Sequence, residues 1–456
     1  MTTIVWIRND LRLTDNPALY HACKEDTQVI AVFIWSPEEY GPWGPGSASM
    51  WWLHHSLNNF HEACYEAQLP FVIRLGPVKQ ALSSLIQETG ATKIVWNRRY
   101  EPGGAILDAR VRSGLEIESE TFPGNLLFEP EKIKTKARKP FQVFTPFWKQ
   151  CQTLNGIISP LRKPTIPKNS HRYKSLSVDE LELLSNTQSY DNWKPGEKFA
   201  QQKFKRFLKK GITEYKKLRD FPAIDGVSQM SPHLHFGEVS PRWMWHQVHQ
   251  TFSGHEEGVK CYLSELGWHE FAHNLLLHFP KTPSSPLHSK FNKLKWKKNI
   301  KHLKAWKAGM TGYPIVDAGM RQLLHTGWMH NRLRMVVGSF LVKDLLISWT
   351  EGARWFWETL VDADLASNTL GWQWVGGCGA DAAPFFRIFN PVIQSEKFDP
   401  DGTFIRAWIP ELKNVPTKWI HQPWKADLDL DYPDPIVDHD IARKEALAAF
   451  NKIKEG

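Results

Sequence analysis

Four short runs rich in β-branched and aromatic residues punctuate the first quarter of the chain, with helical stretches between them. The runs are TIVWIR, QVIAVFIW, PFVIRLG and TKIVWNRRY, and Asn16 to Glu25 and Ala48 to Gln68 carry helical periodicity. Strands that alternate with helices and are apolar on both sides must be covered on both faces. The pattern therefore predicts a parallel α/β sandwich over residues 1–128. No G-x-G-x-x-G follows the first run and no Walker-type loop occurs, so no phosphate site is expected at the first strand turn.

The texture then changes twice. Residues 129–195, with EPEKIKTKARKP and SPLRKPTIPKNSHRYKS, are rich in Pro, Lys and Ser and read as a long surface connector. From 196 to 456 the β-branched runs give way to amphipathic patterns such as LKKGITEYKKLRDF, CYLSELGWHEFAHNLLLHF and MHNRLRMVVGSFLVKDLLISW, which predict an all-helical domain. A chain of 456 residues exceeds what one core organises, so two domains are expected.

Composition narrows the partners. A formal net charge of +9 suits a polyanionic partner, though many basic proteins never touch nucleic acid. Fifteen of the 22 tryptophans lie beyond residue 150, a density that serves either a large helical core or stacking and electron chemistry. The five cysteines (Cys23, Cys64, Cys151, Cys261, Cys378) form no CxxC pair, which argues against a disulfide framework and for a reducing cytoplasm. No apolar stretch is long enough for a membrane span. The opening Ile4 to Ile7 runs into Arg8, Asp10 and Arg12, unlike a secretory or transit peptide.

Residues 269–273 read His-Glu-Phe-Ala-His, a zinc-peptidase pattern in which His269 and His273 would ligate metal and Glu270 would act as base. A third ligand is missing: Leu276 and Phe279 stand at the metzincin positions, and the next glutamate is Glu351. Polar helix residues are the better reading, and no metal is expected.

The second domain holds residues that suit a planar ligand. Glu265 and Trp268, three apart on a helix, share a face and could hydrogen-bond an edge while stacking on a ring. Asn331, Arg334 and Met335 share another face, with Arg332 beside them. In VDADLASNTLGWQW, Asp362 and Asp364 precede Asn368, Trp372 and Trp374. Singly, each reads better as an ion pair, a cap or a core aromatic.

Together these segments resemble the photolyase/cryptochrome family, and within it the bacterial class I-type cyclobutane pyrimidine dimer photolyases. The resemblance is carried by IVWIRNDLRLTDNPAL, FQVFTPFW, LRDFPAIDGVSQMSPHLHFGEVSPR, GWMHNRLRMVVGSFLVKDLLISW and DADLASNTLGWQWVGGCGADAAPFFRIFNP, from about residue 3 to 424. It implies a Rossmann-like antenna domain, a linker and a helical domain binding FAD. Positions matching the family's flavin site are Tyr215, Val227, Ser228, Gln229, Met230, Ser231, Glu265, His269, Asn331, Arg334, Asp362, Asp364 and Asn368. Val227 stands where Thr is usual and His269 where Arg is usual.

The resemblance further implies light-driven repair of a dimer flipped out of DNA. Glu265, Trp268, Asn331, Met335 and Trp374 match the lesion-handling positions, and Trp372, Trp349 and Trp296 match a tryptophan chain that reduces the flavin. DNA contacts are expected from Arg219, Arg332 and the stretch KLKWKKNIKHLKAWK, where Trp296 and Trp306 interleave with lysines. A monomer without an obligate protein partner is expected. The rival readings are a cryptochrome-type blue-light receptor and a (6-4) photolyase. Plant-type cryptochromes usually place Asp at the position of Asn368, and (6-4) enzymes a His pair near Asn331. NRRYEPGG (97–104) and GSASMWWLHHSL (46–57) border the expected antenna site. Gly103 and Gly104 replace the Asn and Glu of some folate-binding members, leaving methenyltetrahydrofolate, a deazaflavin or a second flavin as the antenna.

Overall fold

The computed structural model describes residues 1–154, 157, 159–169, 171–185 and 188–454; the connector reading at 155, 156, 158, 170, 186 and 187 lies outside the described residues. The chain begins with β1 (Thr2–Ile7), α1 (Pro17–Glu25), β2 (Gln28–Trp35), α2 (Ser47–Glu66), β3 (Phe71–Leu75), α3 (Val78–Thr89), β4 (Lys93–Asn97), α4 (Pro102–Gly114) and β5 (Glu118–Phe122). Helices follow: α5 (Phe144–Thr153), α6 (Glu197–Lys210), α7 (Tyr215–Leu218), α8 (Ser231–His235), α9 (Pro241–Thr251), α10 (Glu257–His278), α11 (Ile300–Ala308) and α12 (Pro314–Thr326). The last are α13 (Asn331–Ser339), α14 (Trp349–Thr359), α15 (Leu365–Gly376), α16 (Pro391–Phe398), α17 (Thr403–Trp408) and α18 (His439–Lys454).

By spatial clustering the chain forms two compact units, one of residues 1–141, 145–213 and 228–280, the other of 142–144, 214–227 and 281–456. The division falls elsewhere than the change of texture at 196, because α6, α8, α9 and α10 cluster with the sheet. Among the described residues no helix is long and apolar enough to cross a membrane.

In the first unit the five strands are parallel in the order β3-β2-β1-β4-β5. Strand β1 is buried at every position, as a central strand covered on both faces must be. Ile4, Trp6, Ile30, Val32, Val72, Ile94 and Trp96 form one face of the core against Leu82 and Leu85 of α3 and Leu107 and Val111 of α4. At the carboxyl end of β4, Asn97 joins neighbouring turns: its Nδ2 donates to Asp10 Oδ2 at 2.6 Å and Asn16 Oδ1 at 2.8 Å, and its Oδ1 accepts from Ala18 N at 3.1 Å. A buried polar cluster of this kind is stable only when every member is paired. The edge strand β5 carries Glu118 and Glu120, both ion-paired with Lys93. The stretch FQVFTPFW, read as connector, contains the start of α5, where Phe147, Trp148 and Cys151 turn inward one helical turn apart.

The second unit is helical around one cluster that includes Trp306, Leu333, Phe340, Trp349, Phe356 and Trp372. Side-chain caps set its helix starts: Asn299 accepts from His302 N, Ser348 from Thr350 N, Asp364 from Ser367 N and Asn390 from Val392 N. Helix α15 ends at Gly377 in the left-handed region, φ 70°, where a side chain would be strained. Gly352 of α14 allows the closest approach in this unit: a Cβ there would stand 2.0 Å from the Trp372 ring, so the indole of α15 lies directly on the α14 backbone.

Candidate functional site

The first unit positions the loop 228–231 and one face of α10. Gln229 adopts φ 51°, and its side-chain oxygen accepts from Lys203 Nζ at 2.9 Å. The Ser228 hydroxyl accepts from Tyr262 Oη at 3.3 Å, which ties the loop to α10. Burial raises the Tyr262 phenol far above its ordinary range, so it stays a donor. Met230 is buried just ahead of α8, while Ser231 opens that helix at the surface. Glu265 and Trp268 sit half-buried one turn apart on α10, and the Trp268 ring meets Phe271 edge-on at 5.7 Å.

His269 stands next on the same helix, its Nδ1 3.3 Å from Glu270 Oε1 and its ring 4.7 Å from that of His273. Glu270 is buried and accepts from the backbone amides of Leu127 and Phe128 at 2.9 and 3.1 Å. Its carboxylate thus anchors the segment after β5, an occupation that the zinc-peptidase role does not allow. Among the described residues no group of three or more His, Cys, Asp or Glu is placed to hold a metal ion.

The second unit holds the remaining positions. Arg334 on α13 donates through Nη2 to both oxygens of Asp362, at 3.0 and 2.8 Å, and through Nε to Met329 O at 2.8 Å. Asp364 caps α15 through Ser367 N at 2.7 Å. Asn368, one turn on, donates from Nδ2 to Ala353 O at 3.0 Å, which fixes its amide against α14. Asn331 opens α13 exposed to solvent, and Met335 stands one turn later, half-buried. Arg332 pairs with Asp220 at 2.8 Å and lies over the Phe398 ring at 4.3 Å. Tyr215 is buried at the start of α7 with the Arg219 guanidinium over its ring at 5.2 Å, and Val227 is half-buried.

The face of α15 that carries Asn368 and Trp374 also carries Gly371, where an added Cβ would meet nothing within 4 Å. Gly371 is exposed, and the polar set of Asp362, Asp364, Arg334 and Asn368 offers both acceptors and donors. These residues fit a flavin nucleotide.

Trp372 is buried, its ring edge-on to Phe356 at 5.0 Å and to Trp306 at 6.2 Å. Trp349 is buried in the same cluster, and Trp296 packs on it half-buried. Trp306 corrects one expectation. It is fully buried and its Nε1 donates to Val337 O at 3.0 Å, so it is a core residue and no platform for nucleic acid. A tryptophan among lysines on a short helix turns inward when the helix has one face to bury.

His330 was not singled out by its sequence position, yet it organises the start of α13. Its Nδ1 accepts from Arg332 N at 3.2 Å, and its own N–H donates to Gln322 Oε1 at 3.3 Å. Ser, Thr, Asp and Asn are the usual caps, so no sequence signal marks a capping histidine. At the antenna motif, a Cβ on Gly104 would stand 2.7 Å from Arg99 Cβ, and one on Gly103 3.5 Å from Tyr40 O. The space that the Asn and Glu of folate-binding members would need lies against these two residues.

Two segments of the chain match separate family models: residues 3–167 match DNA photolyase, and residues 262–452 the FAD binding domain of DNA photolyase. A deoxyribodipyrimidine photo-lyase of Agrobacterium fabrum is 43% identical, covering 99% of this chain and 98% of its own. Cryptochrome-2 of Arabidopsis thaliana is 37% identical over 99% of this chain and 79% of its own. The crystal structure of a bacterial class III photolyase from Agrobacterium tumefaciens superposes with a TM-score of 0.95 at 42% identity, covering 100% and 98% of the two chains. The chain belongs to the photolyase/cryptochrome family. That solved relative is described as class III, whereas the sequence motifs resemble class I-type members.

Proposed function

We propose that this chain is a deoxyribodipyrimidine photo-lyase that reverses cyclobutane pyrimidine dimers in DNA under blue light. The observation that carries the reading is the pairing of Glu265 and Trp268, a carboxylate and an indole half-buried on one face of α10. That pair suits a flipped, poorly stacked lesion, which needs a π-face to lie on and a polar group for its base edge.

In this reading Asp362, Asp364, Asn368, Arg334, Tyr215, His269 and residues 227–231 hold FAD. The chemistry that reduced FAD supplies when bound is one electron, lent to the dimer and taken back after the ring opens. Trp268 and Trp374 stack against the lesion. Glu265 hydrogen-bonds the pyrimidine edge and stabilises the added charge on the lesion, while Asn331 and Met335 take the further lesion-handling roles that the family resemblance assigns them. Arg219 and Arg332 contact flanking phosphates; a phosphate at Arg332 competes with Asp220. Trp372, Trp349 and Trp296 carry electrons inward from solvent. A second chromophore harvests light at the motifs 46–57 and 97–104, with methenyltetrahydrofolate, a deazaflavin or a flavin as its class. The protein acts as a monomer on DNA in the cytoplasm.

The test is illumination of the FAD-loaded protein with duplex DNA carrying one thymine dimer, followed by chromatography of the digested strand. Wild type restores the thymines. Glu265→Ala, scored per bound flavin, loses repair by roughly 10- to 100-fold, the value of a hydrogen bond to a charged group. Wild-type protein that photoreduces its flavin and repairs nothing is a cryptochrome-type receptor, and the repair reading then falls.

A further inference from the structure

Between Glu270 and Asp317 the chain has no acidic residue and no arginine, yet it has nine lysines. Lys290, Lys293, Lys295, Lys298, Lys301 and Lys304 are exposed along the approach to α11 and on α11 itself. Lys297 reaches Glu445 of α18 at 2.5 Å, and its amide donates to Leu346 O at 2.8 Å, which pins this segment to the core. Trp296 lies in the middle of the lysines. It is half-buried and packs on the cluster that contains Trp349 and Trp372. Ile300, at the start of α11, is 70% exposed. The surface thus has a small apolar centre within a run of cations, and an indole at that centre reaches from solvent to the core.

We propose that this surface docks a small acidic protein carrying one transferable electron, which it delivers to Trp296. The inference rests on the reading of Trp372, Trp349 and Trp296 as an electron chain. Trp372 passes one electron to the bound flavin, Trp349 refills Trp372, and Trp296 refills Trp349. The carrier then loses one electron to Trp296, so the chain is restored and the carrier is oxidised by one equivalent.

Two observations favour a protein over nucleic acid here. Lysines steer an approaching anion without fixed geometry, whereas bidentate recognition of phosphate calls for arginine forks, and the stretch has none. The tryptophans give bases no platform either, since Trp306 is wholly buried and Trp296 is packed on the core. A weak, charge-steered encounter over a small area is what a carrier that must arrive, discharge and leave requires.

The probe is soluble cytochrome b5, an acidic one-electron haem protein, with basic cytochrome c as its counterpart. Its binding to the FAD-loaded full chain is measured by calorimetry at low and high salt. Oxidation of each ferrous cytochrome under blue light is followed at its own haem band. The triple variant K295E/K298E/K301E changes only exposed lysines. It should bind cytochrome b5 at least about tenfold more weakly at low salt, and the wild-type affinity should fall as salt screens the charges. Cytochrome c should show the opposite preference. Binding of cytochrome b5 that ignores both charge reversal and salt overturns the proposal. So does a variant that loses undamaged duplex DNA while cytochrome b5 binding stays put, since the surface then belongs to DNA. Photoreduction with dithiothreitol, a small neutral donor, separates the premise from the proposal. If W296F leaves that reaction unchanged, the tryptophan reading has failed, whereas loss there with charge-insensitive docking condemns the surface alone.

Discussion

Arg334 grips both carboxylate oxygens of Asp362 from one guanidinium nitrogen, which joins α13 to the turn that leads into α15. The Asp362 side chain is 1% exposed and that of Arg334 25%, so the pair is shielded from solvent on the carboxylate side. Breaking such a pair on one side leaves a buried charge without its partner, at about 3–5 kcal/mol. Arg334→Ala should therefore lower the thermal midpoint and release flavin, as read by calorimetry and by the ratio of flavin to protein absorbance. Asp362→Asn, which removes the charge and keeps the shape, should lose less stability than Arg334→Ala. Equal loss in both variants would mean that the charge is not what holds the two segments.

Gly352 and Trp372 give a second, steric prediction. A methyl group at position 352 would meet the Trp372 ring at 2.0 Å, so Gly352→Ala forces the indole or α14 to move. Overpacking of this kind typically destabilises by about 1–3 kcal/mol. Because Trp372 also touches Phe356 and Trp306, the displacement should slow light-driven flavin reduction as well as lower the unfolding midpoint. Chemical reduction of the flavin should proceed as in wild type. A variant that photoreduces at the wild-type rate would separate Trp372 from electron entry.

Strands β1 to β4 are legible because burial on both faces demands apolar runs, and these are short and rich in β-branched and aromatic residues. Strand β5 is not, because an edge strand with Glu118 and Glu120 pointing at Lys93 has the composition of a loop. On α10, α13 and α15 the spacing of Glu265 and Trp268, of Asn331 and Met335, and of Asp364 and Asn368 announces shared faces, since helical geometry is local. What the spacing hides is partnership across the chain. Glu270 looks like a catalytic base until Leu127 and Phe128, 143 and 142 positions away, are seen to hold it. Trp306 and Trp296 read alike among lysines, yet Trp306 on α11 is fully buried while Trp296, ahead of that helix, packs half-buried on the same cluster.

Glu270 yields a prediction that separates anchor from metal base. Its buried carboxylate accepts two backbone amides, and removing it strands both donors at about 1–3 kcal/mol each. Glu270→Ala should unfold at lower denaturant with the sheet unit loosened first, visible as faster amide exchange at Leu127 and Phe128. Treatment of the wild type with a chelator should leave repair unchanged and elemental analysis should find no stoichiometric zinc. Zinc at one equivalent, with activity lost on its removal, would restore the metal reading.

His330 links pH to the start of α13. Burial pulls its pKa from the ordinary 6.5 down to about 4; Asp220 opposes the shift, and Arg332, Arg334 and Arg219 add to it. Only the neutral ring can accept from Arg332 N through Nδ1, so protonation removes the cap as well as placing a charge at a buried site. The folded chain binds this proton less readily than the unfolded one. The stabilisation is therefore complete above pH 6.5 and is lost as pH falls from there toward 4, amounting to roughly 3 kcal/mol across the window. His330→Asn keeps a side-chain cap and carries no titratable ring. Urea unfolding at pH 7, 5.5 and 4.5 should show wild-type stability falling more steeply than that of His330→Asn. Parallel curves would place the acid sensitivity in other groups and leave His330 as a cap alone.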